Sequence, residues 1–264
     1  MASNLVLSLS ALVALVPVGL ASARERSERF LLPAILVAIG MAALLVGVRL
    51  GHSWSGDFAT SIWLTIIACL IEFLLAALWS QRVRRLSGVL AAYLLLLGGL
   101  GTIWGATTGR PVPENPAAGW LILHIILSVL AYGLITLGAI AGLSVLLQAR
   151  ALKNKQSLRW FPRLPALTEG ETWQIRFLAA GELVLGLGLA TGFASNVVGH
   201  GIWFHFDHKF LLSISGFIAL GGLLVWHRIA GLRGRNGARW GLVTYLVVTL
   251  AYPGVKFVTD ILIG

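Results

Sequence analysis

Four of the protein's six histidines lie in one stretch, Asn196 to His227, which reads NVVGHGIWFHFDHKFLLSISGFIALGGLLVWH. A short aromatic and polar segment holds His200, Trp203, His205, Asp207 and His208, an apolar run follows, and His227 stands near its far end. Imidazole is the side chain most often bound to heme iron, and a porphyrin needs apolar and aromatic walls. Trp203, Phe204 and Phe206 supply such walls next to the histidines, although each alone also suits a membrane-interface belt. Asp207 is placed either to N-cap the following helix or to orient a histidine, and Lys209 to meet a propionate. On a helix, His208 and His227 are roughly 28 Å apart, at about 1.5 Å per residue. They cannot ligate the same iron, so a heme reading requires an outer site, an inner site, or both.

The rest of the chain must hold that stretch, and its composition says how. Of 264 residues 58% are hydrophobic and 11% charged, and the mean hydropathy is +0.88. Long apolar runs with so little charge belong to the membrane class. The net charge of +10 does not point to nucleic acid, because the Lys and Arg residues sit in short clusters between apolar runs, the pattern that orients membrane proteins. The runs are continuous, without the alternation of a barrel strand, so the spans are helices. The expected fold is all-α: a single polytopic membrane domain over residues 1–264, with about eight spans and both termini outside. The single Cys69 lies in an apolar run and reads as a packing residue.

In order, the apolar runs fall at about Met1 to Ala23, Phe30 to Leu50, Ala59 to Trp79, Leu86 to Ala106, Trp120 to Leu147, Ile175 to Val198, Lys209 to Val225 and Trp240 to Ile263. The first ends Ala21-Ser22-Ala23, like a signal-peptide cleavage site. No basic residue precedes it, however, and Arg24, Arg26 and Arg29 follow it, which favours a first span entering from outside. Basic clusters at residues 82–85, over the polar segment 148–174 and at residues 233–239 mark the cytoplasmic turns. The loops at residues 51–58, 107–119 and 199–208 face outside. Gly181, Gly186, Gly188 and Gly192 in the sixth span suit close helix packing or make room for a flat ligand.

On this topology His52, His124 and His208 belong to three spans and share the outer level, with Trp54 and Trp120, whereas His227 lies at the inner end of the seventh span. Glu72, Glu182 and Lys256 fall inside spans, where ionisable residues are functional candidates by default. The alternative for Glu182 is a pairing with nearby positive groups such as Arg176 on the cytoplasmic side. These three keep a small-molecule transporter open. No nucleotide-binding, hydrolase or zinc motif is present, so no enzyme activity is expected.

Three stretches carry a family likeness. GWLILHIILSVLAYG (Gly119 to Gly133), IWFHFDHKF (Ile202 to Phe210) and Trp226 to Val258 resemble the cytochrome c assembly family, and within it the small eight-span HemX-like and YpjD-like membrane proteins. The resemblance covers about residues 51–264. It implies a protein of the bacterial inner membrane that handles heme in support of cytochrome c assembly, with other maturation or heme-pathway proteins as partners. His124 matches a histidine that ligates heme at the outer face, and His227 one assigned to an inner site. Asp207 and Lys209 match the Asp and Lys of the family's tryptophan-rich heme loop. Phe204 and Phe206 stand where tryptophans are expected, and His208 where a proline is usual. The second outer histidine of full members is missing, and His208 or His52 is left to supply it. The same resemblance allows a regulator or scaffold of heme-pathway proteins acting through the basic segment 148–174.

Overall fold

The computed structural model describes residues 2–21, 28–52, 57–105, 118–155, 164–200, 208–250 and 254. Among them are eight α-helices: α1 (Ala2–Leu20), α2 (Glu28–His52), α3 (Phe58–Trp79), α4 (Ser87–Ile103), α5 (Ala118–Lys153), α6 (Leu167–His200), α7 (His208–Ala230) and α8 (Gly234–Thr249). A short 3-10 turn, Val83–Leu86, leads into α4. There is no strand among the described residues. Six helices, α2 to α7, are long and apolar enough to cross a membrane. The apolar part of α1, Leu5–Leu20, is shorter, and α8 shows 16 residues. The protein is a polytopic helical membrane bundle, as the hydropathy predicts.

The helix α5 is the spine. Residues 131–133 and 135–142 are all buried, the mark of a helix surrounded by others rather than by lipid. One face joins the core built by α1 to α4, through Leu137, Ile140 and Ala141. The opposite face joins a second core with α6, α7 and α8, through Tyr132, Ile135 and Ala139.

Small residues set how closely α6 approaches it. A side chain built at Gly192 would strike His124, one at Gly181 would strike Ile135, and one at Gly138 or Gly142 would strike Leu178 or Gln174. Each step down α5 is thus matched by a step up α6, an antiparallel pair held at backbone distance. The α5 seam, His124, Ser128, Ala131, Ile135, Gly138, Gly142 and Val145, alternates steps of four and three, the spacing of a coiled-coil seam.

The two paired helices outlast the bundle. With 36 residues, α5 is about 54 Å long at 1.5 Å per residue, against a hydrocarbon thickness of about 30 Å. At its far end Gln174 reaches the carbonyl of Gly237 in α8, and Ser80, just past α3, shares a cavity with Trp173. The other helices therefore stop near the level of Gly142 and Gln174, and the tip of the α5–α6 hairpin continues about 15 Å further. We call this end lower and the opposite one upper; the basic clusters of the sequence lie at the lower end.

Here the sequence reading needs correction. The polar segment 148–174 is not simply a loop, because α5 runs on to Lys153 and α6 begins at Leu167, not near Ile175. Likewise α8 starts at Gly234, not Trp240, and His52 ends α2 instead of lying in the following loop. In each case the helix extends past its apolar run, and hydropathy registers only the part that lipid surrounds.

Candidate functional site

At the upper end the α5–α6 seam closes on His124. Its Nδ1 lies 2.7 Å from the carbonyl oxygen of Gly188. A carbonyl can only accept, so Nδ1 carries the hydrogen, and in the neutral ring Nε2 keeps its lone pair. The ring lies over Gly192, where an added Cβ would come within 2.8 Å of both Cε1 and Nδ1. Glycine at 192 is what lets the imidazole sit between the helices.

At the lower end His227 is held the same way. Its Nδ1 lies 2.6 Å from the carbonyl oxygen of Leu232, so here too the hydrogen is on Nδ1 and Nε2 is left as the basic nitrogen. Leu232 is in the tight α7–α8 turn, which Gly231 (φ +62) and Gly234 (φ +64) make with left-handed backbone. A β-branched side chain at Gly231 would strain the turn and move the carbonyl that holds the histidine. Trp226 and Trp240 pair beside it, with ring centroids 5.7 Å apart. Glu182 lies against Gly221 and Gly186 against Phe217, so His227 sits near the level of Arg176 in α6. Down the bundle that is about 24 Å from His124, at 1.5 Å per residue. The two histidines serve separate places.

Of the other predicted residues, Trp203, Phe204, Phe206 and Asp207 lie outside the described residues, as do Trp54, His205 and Lys256. His208 and Lys209 open α7, and α7 packs on α6 and α8. That brings the backbone of His208 to the same side of the bundle as His124 and near its level. His52 ends α2, which packs on α1 and α3. No group of three or more His, Cys, Asp or Glu able to hold a metal ion occurs among the described residues. A neutral imidazole anchored through Nδ1 offers Nε2 as a donor to heme iron, so His124 and His227 would each give heme one ligand.

Between the two histidine levels runs a polar layer that the sequence reading noticed only in part. Glu72 in α3 is 9% exposed, and neither carboxyl oxygen has a hydrogen-bond partner. The carboxyl lies against Gly133 of α5, where a Cβ would meet Oε2 at 2.5 Å. Glu182 faces α7, not Arg176; Arg176 instead stacks on Trp173 at 5.1 Å. The two carboxyls share a depth but belong to different interfaces, α3–α5 and α6–α7. Beside Glu72, Cys69 Sγ lies 3.8 Å from the carbonyl oxygen of Gly133.

Three tyrosines complete the layer. The hydroxyl of Tyr245 (α8) bonds those of Tyr93 (α4) and Tyr132 (α5), the latter at 3.1 Å. Tyr132 also reaches Thr249 Oγ1 at 3.2 Å, and its ring stacks on Tyr245 with centroids 5.9 Å apart. Sequence reasoning missed this cluster. The available signal was that all four tyrosines fall inside apolar runs, where a hydroxyl needs a partner.

The environment of Glu72 makes a prediction. A buried polar group without partners costs roughly 1–3 kcal/mol, so Glu72→Met, which fills similar volume, is expected to stabilise the purified protein by about that much. Thermal unfolding in mild detergent measures it; a clear loss of stability would mean the carboxyl has a partner that this packing does not reveal.

Comparison with known proteins supplies a family. The family described as "Cytochrome C assembly protein" matches residues 54–263, a range that leaves out α1 and α2 and includes both histidines. A protein of Azospirillum brasilense, described as "Uncharacterized 28.8 kDa protein in nifR3-like 5'region", is 41% identical over 273 residues, with 100% of each chain covered. No solved structure matches the chain.

Proposed function

Because the chain belongs to the cytochrome c assembly protein family, we propose that it holds heme within the bacterial inner membrane in support of cytochrome c maturation, on His124 near the outer face and on His227 near the inner face. The observation that carries this reading is the shared anchoring of the two imidazoles. In each, a backbone carbonyl takes the Nδ1 hydrogen and leaves Nε2 as the only basic nitrogen. Heme would supply an iron that such nitrogens can ligate and carboxylates that cations can pair with.

The residues divide the work. His124 ligates, Gly188 fixes its tautomer, and Gly192 leaves room for the ring. His208, which starts a helix on the α6 side, is the second outer ligand; His52 ends a helix on the far side of α3 and is the weaker choice. Lys209 takes a propionate, Asp207 orients an imidazole, and Trp203, Phe204 and Phe206 wall the outer site. His227 stands beside the Trp226–Trp240 pair at the inner site. The role is handling of heme without chemical turnover, alongside other maturation or heme-pathway proteins.

The test is an absorption spectrum of the protein purified in mild detergent, oxidised and reduced, beside His124→Ala and His227→Ala. A reduced heme spectrum diminished by each variant supports two sites. Absence of heme from every sample, even after heme is added, would sink the reading. The projecting, basic α5–α6 tip then favours a second role, as a scaffold or regulator that binds a soluble heme-pathway protein.

A further inference from the structure

A cavity of about 260 Å³ opens at the lower end of the bundle, where α3 ends and α6 begins. Ser80, Arg82, Thr168, Thr172, Trp173 and Arg176 line it, together with Glu169. Arg176 is exposed and stacks on Trp173, and it makes no ion pair among the described residues. Arg82 Nε is 3.4 Å from Glu169 Oε1, and Arg85 at the rim is 4.0 Å from Oε2. Both contacts are long for charge-assisted bonds, which run about 2.7–2.9 Å, and Glu169 Oε2 has no hydrogen-bond partner. One carboxylate thus answers two guanidinium groups loosely, and the third, on Arg176, has no carboxylate partner among the described residues. Ser80, and Thr168 in the first turn of α6, line the same space and add hydroxyl and backbone donors suited to an acceptor-rich anion.

The location narrows the anion. Most of the bundle ends at this level, Trp79 beside the cavity is 94% exposed, and Trp173 lines its wall. Tryptophans at a helix end mark the bilayer interface, and the basic turns put this end in the cytoplasm. Phosphates of anionic lipids lie at that depth in the inner leaflet.

We propose that this cavity binds the phosphate of an anionic phospholipid headgroup, with Arg82 and Arg176 as its principal ligands and Glu169 as a built-in competitor. The site is independent of heme. It would hold the base of the projecting α5–α6 hairpin against the inner leaflet.

The full-length protein in mild detergent, incubated with phosphatidylglycerol or phosphatidylcholine and analysed by native mass spectrometry, tests this. Wild type is expected to retain phosphatidylglycerol in preference to phosphatidylcholine. In the doubly substituted variant Arg82→Ala with Arg176→Ala, retention should fall about tenfold. Both arginines are largely exposed, so the variant should fold, and its melting curve checks that. Glu169→Gln removes the competitor and is expected to raise retention, an effect that a purely structural ion pair would not give. Equal retention of the two lipids, or no change in the double variant, overturns the proposal. Displacement of phosphatidylglycerol by millimolar inorganic phosphate would overturn the lipid as occupant and assign the cavity to a soluble phosphate compound.

Discussion

Alanine at position 192 is expected to imitate loss of the proposed outer heme ligand, His124, although Gly192 itself would offer no atom to iron. The new Cβ would stand 2.8 Å from two atoms of the His124 ring, inside van der Waals contact. The ring must move, and moving it breaks the 2.7 Å bond to Gly188. Loss of the partner that orients a ligating histidine typically costs 10–100-fold in affinity. Gly192→Ala should therefore weaken heme at the outer site by about that factor, and His124→Ala by more. Reduced absorption spectra at graded heme concentrations measure both. His124→Gly adds a control, because free imidazole should restore the spectrum if the side chain acts as a ligand rather than as packing. His227→Ala, about 24 Å lower, should leave the outer component unchanged. Full heme retention in Gly192→Ala and His124→Ala together would remove His124 from the site.

The origin of this geometry explains which features could be read from the sequence. The number of helices follows from the apolar runs, a local property, and eight helices cover those runs among the described residues. Helix ends outside the lipid carry no such signal. The first turns of α6 contain Glu169, Glu171 and Gln174 and look like loop, yet they are helical because Gly170 packs on Val145 and Gly142 on Gln174. That support comes from a helix about 25 residues away in sequence and has no mark in the segment itself. The same limit applies to the site. His124 and His227 stand out as residue types, but the carbonyls that fix their tautomers belong to α6 and to the α7–α8 turn. Glu72 was legible as an intramembrane acid; that it faces α5 while Glu182 faces α7 depends on lateral packing, which hydropathy does not encode. Arg49 and Asp57 gave no sign at all, being one charge at the end of a span and one in a short polar loop.

These two residues are expected to show the largest single-site effect on stability. Arg49 NH1 bonds Asp57 Oδ2 at 3.0 Å, and the two side chains are only 8% and 7% exposed. Arg49 NH2 also bonds the carbonyl oxygen of Gly105 at 2.9 Å. One guanidinium thereby ties the upper end of α2 to the start of α3 and the end of α4. It is also a basic residue at the end that the charge rule leaves poor in them, and pairing removes the conflict, since its charge is met inside the protein. Truncating one partner of a buried pair leaves the other charge uncompensated, which costs about 3–5 kcal/mol. Arg49→Met should therefore lower unfolding free energy by about that amount, and Asp57→Leu by a similar one. The combined variant Arg49→Met with Asp57→Leu leaves no orphaned charge and should recover most of the loss, because an apolar pair of similar volume can replace a buried ion pair at little cost. Denaturant titration of the four proteins in mild detergent closes the cycle. If the double variant is as unstable as the sum of the singles, the two residues act independently and the tie between α2, α3 and α4 lies elsewhere.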